Sequence, residues 1–373
     1  MKKNFIPVNE PLLDNEEKKY LIKCINDNQI SSSGSFVKEF EKKFAKTCNR
    51  KYAVAVSNGT SALQIAYDCF KLKKNDEVIV PAFTIISCIL PVARSEAKPI
   101  LVDSNIKTWN VDVEKLLCSI SNNTKAIILP HTYGLPVDLD PILKVCKKKN
   151  IILIEDAAEV LGLNYKNKPC GSFGDISTFS FFANKHITTG EGGMIVTDNY
   201  KLYQKCLSLR NLCFNNARRF KHYELGWNSR ITNLQCAVGL AQLKKLKKFV
   251  FLKRKIGNTY YNSLSNLKYL QNPLIKTNYA ENIFWVYGLL LKENSKIKLE
   301  TFRKKLFEKG VDTRNFFWPM NKQPVLKKYR YFKKFKLDVA EYLSNNGFYI
   351  PSGLALSSNQ QKHVIRSIKE IID

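Results

Sequence analysis

The sequence predicts an α/β fold: a mostly parallel seven-stranded sheet with helices on both faces, followed by a smaller α+β C-terminal domain. Three observations predict it. Short apolar segments alternate with longer helical patterns through the first two thirds of the chain. Several of these segments are unbroken runs of Ile, Leu and Val, as expected of strands buried on both faces. A long helical stretch then ends the alternation, and the remainder reads as mixed α+β.

The strands are expected at 52–56, 77–81, 99–103, 126–130, 151–155, 175–180 and 194–197. Helical patterns fill the gaps between them, for instance at 60–72 and 142–149. One long helix is expected from 233 through 248 and onward, carrying the chain out of the first domain. Beyond it come a strand near 284–290, a helix near 299–309 and a closing helix from 358. The resulting domains are 1–250 and 251–373, with no internal repeat or low-complexity linker, so the two should pack closely. In such a sheet, ligands are met by loops at the C-terminal ends of the strands.

Composition narrows the function. A chain of 373 residues can bury a large core, and its apolar content is that of a globular protein rather than a disordered one. No apolar run is long enough to cross a bilayer, and no signal-like segment follows the first residues. Ten cysteines include no CxxC pair, and four histidines are too dispersed for zinc spacing. A reduced, cytoplasmic enzyme without metal or membrane attachment is expected. The net charge of +28 has two readings: attraction to polyanions, or a lysine-rich solvated surface. The basic residues are spread along the chain, which favours the second and predicts no nucleic-acid partner.

The run from Thr178 to Gly193 sets Lys185 between an aromatic strand and the turn Gly190-Glu191-Gly192-Gly193. A lysine in a dry pocket loses its proton near neutral pH and attacks carbonyls, although a lone lysine beside glycines is usually a surface residue. About thirty residues upstream, a strand ends in Glu155-Asp156. A carboxylate there can pair with a protonated ring nitrogen, or Asp156 can simply cap the next helix. Glu159, one turn on, faces the same side, unless it is a solvated helix residue. Ser57-Asn58-Gly59-Thr60 follows a strand and opens a helix, which suits an anion and equally suits a plain helix cap. Ser180 would add a hydroxyl to that anion or be a buried strand serine. No GxxxxGK[ST] is present and no GxGxxG follows a strand, which disfavours a P-loop enzyme and a nicotinamide dehydrogenase.

Taken with Ile30-Ser31-Ser32-Ser33-Gly34, Gly226-Trp227-Asn228-Ser229-Arg230, the segment from Thr313 to Met320 and that from Gly347 to Gly353, these motifs stand in order across nearly the whole chain. The chain resembles the nucleotide-sugar aminotransferases of fold type I, closest to their perosamine- and viosamine-forming branches. The resemblance implies pyridoxal 5'-phosphate, alternating with pyridoxamine phosphate, held on Lys185 as a Schiff base. It implies that Asp156 pairs with the ring nitrogen and that Glu159 lies on the phenolic-oxygen side. Gly59, Thr60 and Ser180 would bind the phosphate, joined by Asn228 from the second subunit of a homodimer with shared sites. Arg230, Arg314 and Ser32 would contact the substrate. The reaction implied moves an amino group from L-glutamate to C4 of a UDP-, dTDP- or GDP-linked 4-keto-6-deoxyhexose, with viosamine- or perosamine-type products for glycan biosynthesis. Two departures bear on this. Many relatives stack an aromatic residue on the cofactor where this chain has Ile85, so ring contact and cofactor affinity should be lower. Some relatives replace the lysine with histidine and are pyridoxamine-dependent dehydratases; counting back from Gly190 puts Lys185, not His186, at that position. The alternatives are such a dehydratase, or a non-catalytic regulatory or nucleic-acid-binding relative.

Overall fold

The computed structural model describes residues 5–215, 217–327 and 335–372. All seven expected strands form, with ends within two residues of expectation. They are β1 (Tyr52–Val56), β2 (Glu77–Pro81), β3 (Lys98–Val102), β4 (Thr124–Pro130) and β5 (Ile152–Asp156), then, after a short hairpin of β6 (Asn164–Tyr165) and β7 (Lys168–Pro169), β8 (Ile176–Ser180) and β9 (Gly193–Thr197). The sheet order is β1-β9-β8-β5-β4-β2-β3. Only β9 runs against its neighbours; the pairs β2–β3, β2–β4, β4–β5 and β5–β8 are parallel.

The two-residue period of each strand divides its side chains between two cores. Ala53, Ala55, Ile79, Ile127, Leu129, Leu153 and Val196 belong to one. Val54, Val56, Val78, Val80, Ile128, Ile154 and Ile195 belong to the other. Burial on both sides is why these strands read as continuous apolar runs.

The expected long helix is instead two, Asn233–Lys244 and Leu246–Leu264. They meet at Lys245, whose backbone leaves helical geometry (φ −96°, ψ 1°). Its ammonium is bound by Glu17 at 2.5 Å and Asp14 at 2.9 Å. Apolar periodicity runs through the joint, so the sequence pattern hides the break. The helix expected at 60–72 ends earlier, at Gly59–Asp68, because Lys71 takes a left-handed φ of 47°.

A second, antiparallel sheet has the order β10 (Leu270–Gln271), β11 (Tyr287–Leu291), β13 (Gly347–Ile350) and β12 (Arg314–Asn315). Phe302 and Leu306 of helix Leu299–Glu308 and Val364 and Ile368 of helix Ser358–Ile372 bury against Tyr287, Leu289 and Phe348. The chain's beginning joins this unit: the Ile6 N–H donates to Gly310 O at 2.8 Å.

Candidate active site

Three loops leaving the C-terminal ends of β1, β5 and β8 converge on Lys185. At the end of β1, Asn58 caps helix Gly59–Asp68, its Oδ1 accepting from the Ser61 N–H at 2.8 Å. The helix start lies against β8 and β9. A Cβ on Gly59 would come within 2.8 Å of Ser180 Cβ, and one on Gly193 within 2.5 Å of the Asn58 carbonyl oxygen. Thr60 Oγ1 and Ser87 Oγ stand 2.8 Å apart beside this start. Gly59, Thr60 and Ser180 are therefore gathered at one helix N-terminus, whose free N–H groups and dipole favour an anion.

At the end of β5, Asp156 is 5% exposed and registers opposite Thr178 of β8. Its Oδ1 accepts from the Ala158 N–H at 3.1 Å, and its Oδ2 from the Cys88 thiol at 3.4 Å. Burial pushes this carboxyl above its ordinary value, against the pull of the Ala158 N–H and the Lys185 charge. Asp156 does not take the helix-cap role; no α-helix begins at Ala157. Its neighbour Glu155 points to the opposite face and serves the fold. It accepts from Gly171 N–H at 2.6 Å, Phe173 N–H at 3.0 Å, Gly174 N–H at 3.1 Å and the Ser177 hydroxyl at 3.0 Å.

Lys185 sits in the turn after β8, its N–H bonded to Phe182 O at 2.9 Å. Its side chain is 11% exposed, with Nζ 3.7 Å from Glu159 Oε1. On the other side Nζ lies 3.7 Å from the centroid of the Trp285 ring. Burial pulls the amine below the usual lysine value, against the carboxylates of Glu159 and Asp156. Burial pushes the Glu159 carboxyl up, against the Lys185 charge and the Tyr133 N–H, which donates to Oε2 at 2.8 Å.

The other expected residues lie as follows. Ile85 precedes a short 3-10 turn, Ile86–Cys88, and is 41% exposed. Arg230 bridges to Val56 at the end of β1 and donates to Asn211 Oδ1 at 2.7 Å. Asn228 is exposed and bridges to Asn211, and no hydrogen bond links its side chain to the cluster in this chain. Arg314 is bound to Asp312 at 2.8 Å and registers with Tyr349, whose ring centroid is 6.3 Å from that of Tyr133. Ser32 lines a separate groove with Val37, Tyr52, Tyr203 and Arg210. Within one chain it is not joined to Lys185.

Sequence reading missed the aromatic wall of the site. Tyr133, in the loop after β4, stacks on Phe317 (5.0 Å, 24°) and on Trp285 (6.0 Å, 29°). Its hydroxyl accepts from the Phe317 N–H at 3.1 Å. The Tyr133-Gly134 pair following an apolar strand was the available signal, with left-handed φ values of 55° and 95°. Trp285 stands a hundred residues beyond Lys185 in the chain and gave none.

The cluster fits pyridoxal phosphate. Asp156 Oδ2 has only a thiol, a weak donor, so a protonated ring nitrogen would complete its hydrogen bonding. Thr178 Oγ1, two residues from Ser180 on the same strand face, is buried without a partner. The side-chain-free approach at Gly59 leaves N–H groups open to a phosphate, and Lys185 supplies a desolvated amine.

A family profile described as the DegT/DnrJ/EryC1/StrS aminotransferase family matches residues 11–369. GDP-perosamine synthase of Escherichia coli O157:H7 is 38% identical over 367 residues, covering 98% of both chains. GDP-4-keto-6-deoxy-D-mannose 3-dehydratase of Yersinia pseudotuberculosis is 33% identical, covering 98% of this chain and 99% of its own. Among solved structures, Helicobacter pylori PseC, an aminotransferase of pseudoaminic acid biosynthesis, superposes with a TM-score of 0.93 at 25% identity, covering 99% of each chain.

Proposed function

This chain belongs to the DegT/DnrJ/EryC1/StrS family and is a pyridoxal phosphate-dependent sugar aminotransferase of fold type I, and from that premise we propose that it moves an amino group from L-glutamate to C4 of a GDP-linked 4-keto-6-deoxyhexose, giving a perosamine-type product. The similarity to GDP-perosamine synthases supports the guanine nucleotide and C4. The observation that carries transamination is Lys185 itself, a buried amine 3.7 Å from Glu159 in the position where dehydratase relatives would place histidine.

In this reading Asp156 holds the ring nitrogen in its protonated form, and Glu159 lies on the phenolic-oxygen side. Gly59, Thr60 and Ser180 bind the phosphate, with Asn228 contributed by the second subunit of a homodimer. Ile85 packs on the ring, Arg230 meets the diphosphate, and Arg314 and Ser32 meet the nucleotide sugar. Bound there, pyridoxal phosphate supplies an electron sink for the carbon that loses its proton. Lys185, as the free amine beside that carbon, would take the proton from the α-carbon of the amino donor and hold it for return, acting as base and then as acid. With the keto-sugar it runs the transfer in reverse and leaves nitrogen on the sugar. Trp285 covers the amine, with Tyr133 stacked on it and Phe317 stacked on Tyr133, and this dry setting keeps the amine unprotonated for part of the cycle. Both halves use one pocket, so ping-pong kinetics are expected.

The test offers GDP-, dTDP- and UDP-linked 4-keto-6-deoxy sugars with glutamate and reads product mass. Aminated GDP-sugar is the expected product; a deoxygenated product without nitrogen would make the chain a dehydratase. Borohydride reduction should fix the cofactor on the Lys185 peptide, and Lys185→Ala should abolish both turnover and adduct.

A further inference from the structure

We propose that Trp285 is a positioning residue for Lys185: its indole face holds the lysine ammonium between the two proton transfers. The proposal rests on the reading of Lys185 as the proton carrier. Its basis is geometric. Trp285 is 4% exposed, and its ring centroid is 3.7 Å from Lys185 Nζ, well inside the range of a cation–π contact. Its Nε1–H donates to Asn184 O at 2.8 Å, so the ring is tied to the backbone adjoining the lysine.

The indole and the carboxylate flanking the amine are set by one element. The Tyr133 N–H fixes Glu159, while the Tyr133 ring stacks on Trp285. Gly134 locks that loop to the segment leading into β11: a Cβ there would meet the Trp285 backbone nitrogen at 2.6 Å, and Gly134 O accepts from the Ile283 N–H at 3.0 Å. A free Lys185 must carry a proton in a dry pocket, where burial disfavours its charge. A π face stabilises the ammonium without a directional hydrogen bond that must break before the proton moves on. The titratable groups facing the amine are Asp156 at the end of β5, Glu159 from the loop after it and Cys88 from the turn after β2. His186, next in the chain, is buried, and burial pulls it well below its ordinary value, so it is neutral.

The test uses the full-length protein loaded with pyridoxamine phosphate, in which Lys185 is free. Acetylation of the Lys185 peptide by acetic anhydride is followed by mass spectrometry across pH. Trp285→Leu should lower the labelling midpoint by about one pH unit, and Trp285→Phe, which keeps a π face but loses the N–H, should lower it by less. An unchanged midpoint in Trp285→Leu overturns the proposal. So does a fall in Trp285→Phe as large as in Trp285→Leu, which would assign the effect to the Asn184 tether. Neither outcome depends on the sugar assay, and a failed sugar assay leaves this measurement standing.

Discussion

Two adjacent acids show what a single residue's position decides. Glu155 and Asp156 leave the same strand on opposite faces, as the two-residue period requires. Asp156 falls on the face shared with Thr178 and Lys185, with one oxygen served by a thiol alone. Asp156→Asn keeps the size and the Ala158 contact but removes the charge that would hold a ring nitrogen protonated. We expect the half-reaction with glutamate, followed by the change in the cofactor's absorbance, to slow by about 10²–10³-fold, as when a preorganised electrostatic partner is removed. Unchanged rates would show that another group protonates the ring. The acidic pair was legible in the sequence as a strand end with Asp156 as the acid for the site; the use of Glu155 was not, because its partners come from β8 and the segment ahead of it.

At the scale of elements, the site is a contact between a helix start and a strand. Helix Gly59–Asp68 can approach β8 and β9 because Gly59 and Gly193 carry no side chains. A methyl on Gly193 would press on the Asn58 carbonyl at 2.5 Å and on the Gly59 nitrogen at 2.9 Å, both of them backbone atoms that yield little. Gly193→Ala should therefore cost about 1–3 kcal/mol in thermal or urea unfolding and weaken cofactor binding, read as a raised Kd. A variant of native stability and Kd would mean that the helix start has slack. The glycines of this turn were visible in the sequence as a motif. Their use was not, because Gly193 meets Asn58 across the sheet rather than along the chain.

For the molecule as a whole, the same β5 end that supplies the site also ties the fold together. The Glu155 carboxylate gathers the N–H groups of Gly171, Phe173 and Gly174 and the Ser177 hydroxyl. It also meets His131 Nε2 at 3.1 Å. His131 Nδ1 accepts from the Val137 N–H, so Nε2 carries the hydrogen. Burial alone would raise the Glu155 carboxyl, but His131 and the Gly171 and Gly174 N–H groups outweigh it and hold it at about 2. A carboxyl depressed in the folded state stabilises above its unfolded value and loses that contribution as pH falls. The loss, about 3 kcal/mol, should run between about pH 4.5 and 2. Urea unfolding across that window should show it, and Glu155→Gln should be less stable at pH 7 with a flatter pH profile. A profile as steep as the wild type's would place acid sensitivity elsewhere.

Periodicity and local chemistry determined much of this protein from the sequence alone. The seven strands, the sheet class, the lysine turn and the helix start at Asn58 all follow from nearest neighbours along the chain. The break at Lys245, the fold-tying role of Glu155, and the wall of Tyr133, Phe317 and Trp285 were decided only by tertiary structure. Each depends on groups distant in sequence, and a desolvated amine acquires its chemistry from what surrounds it in space.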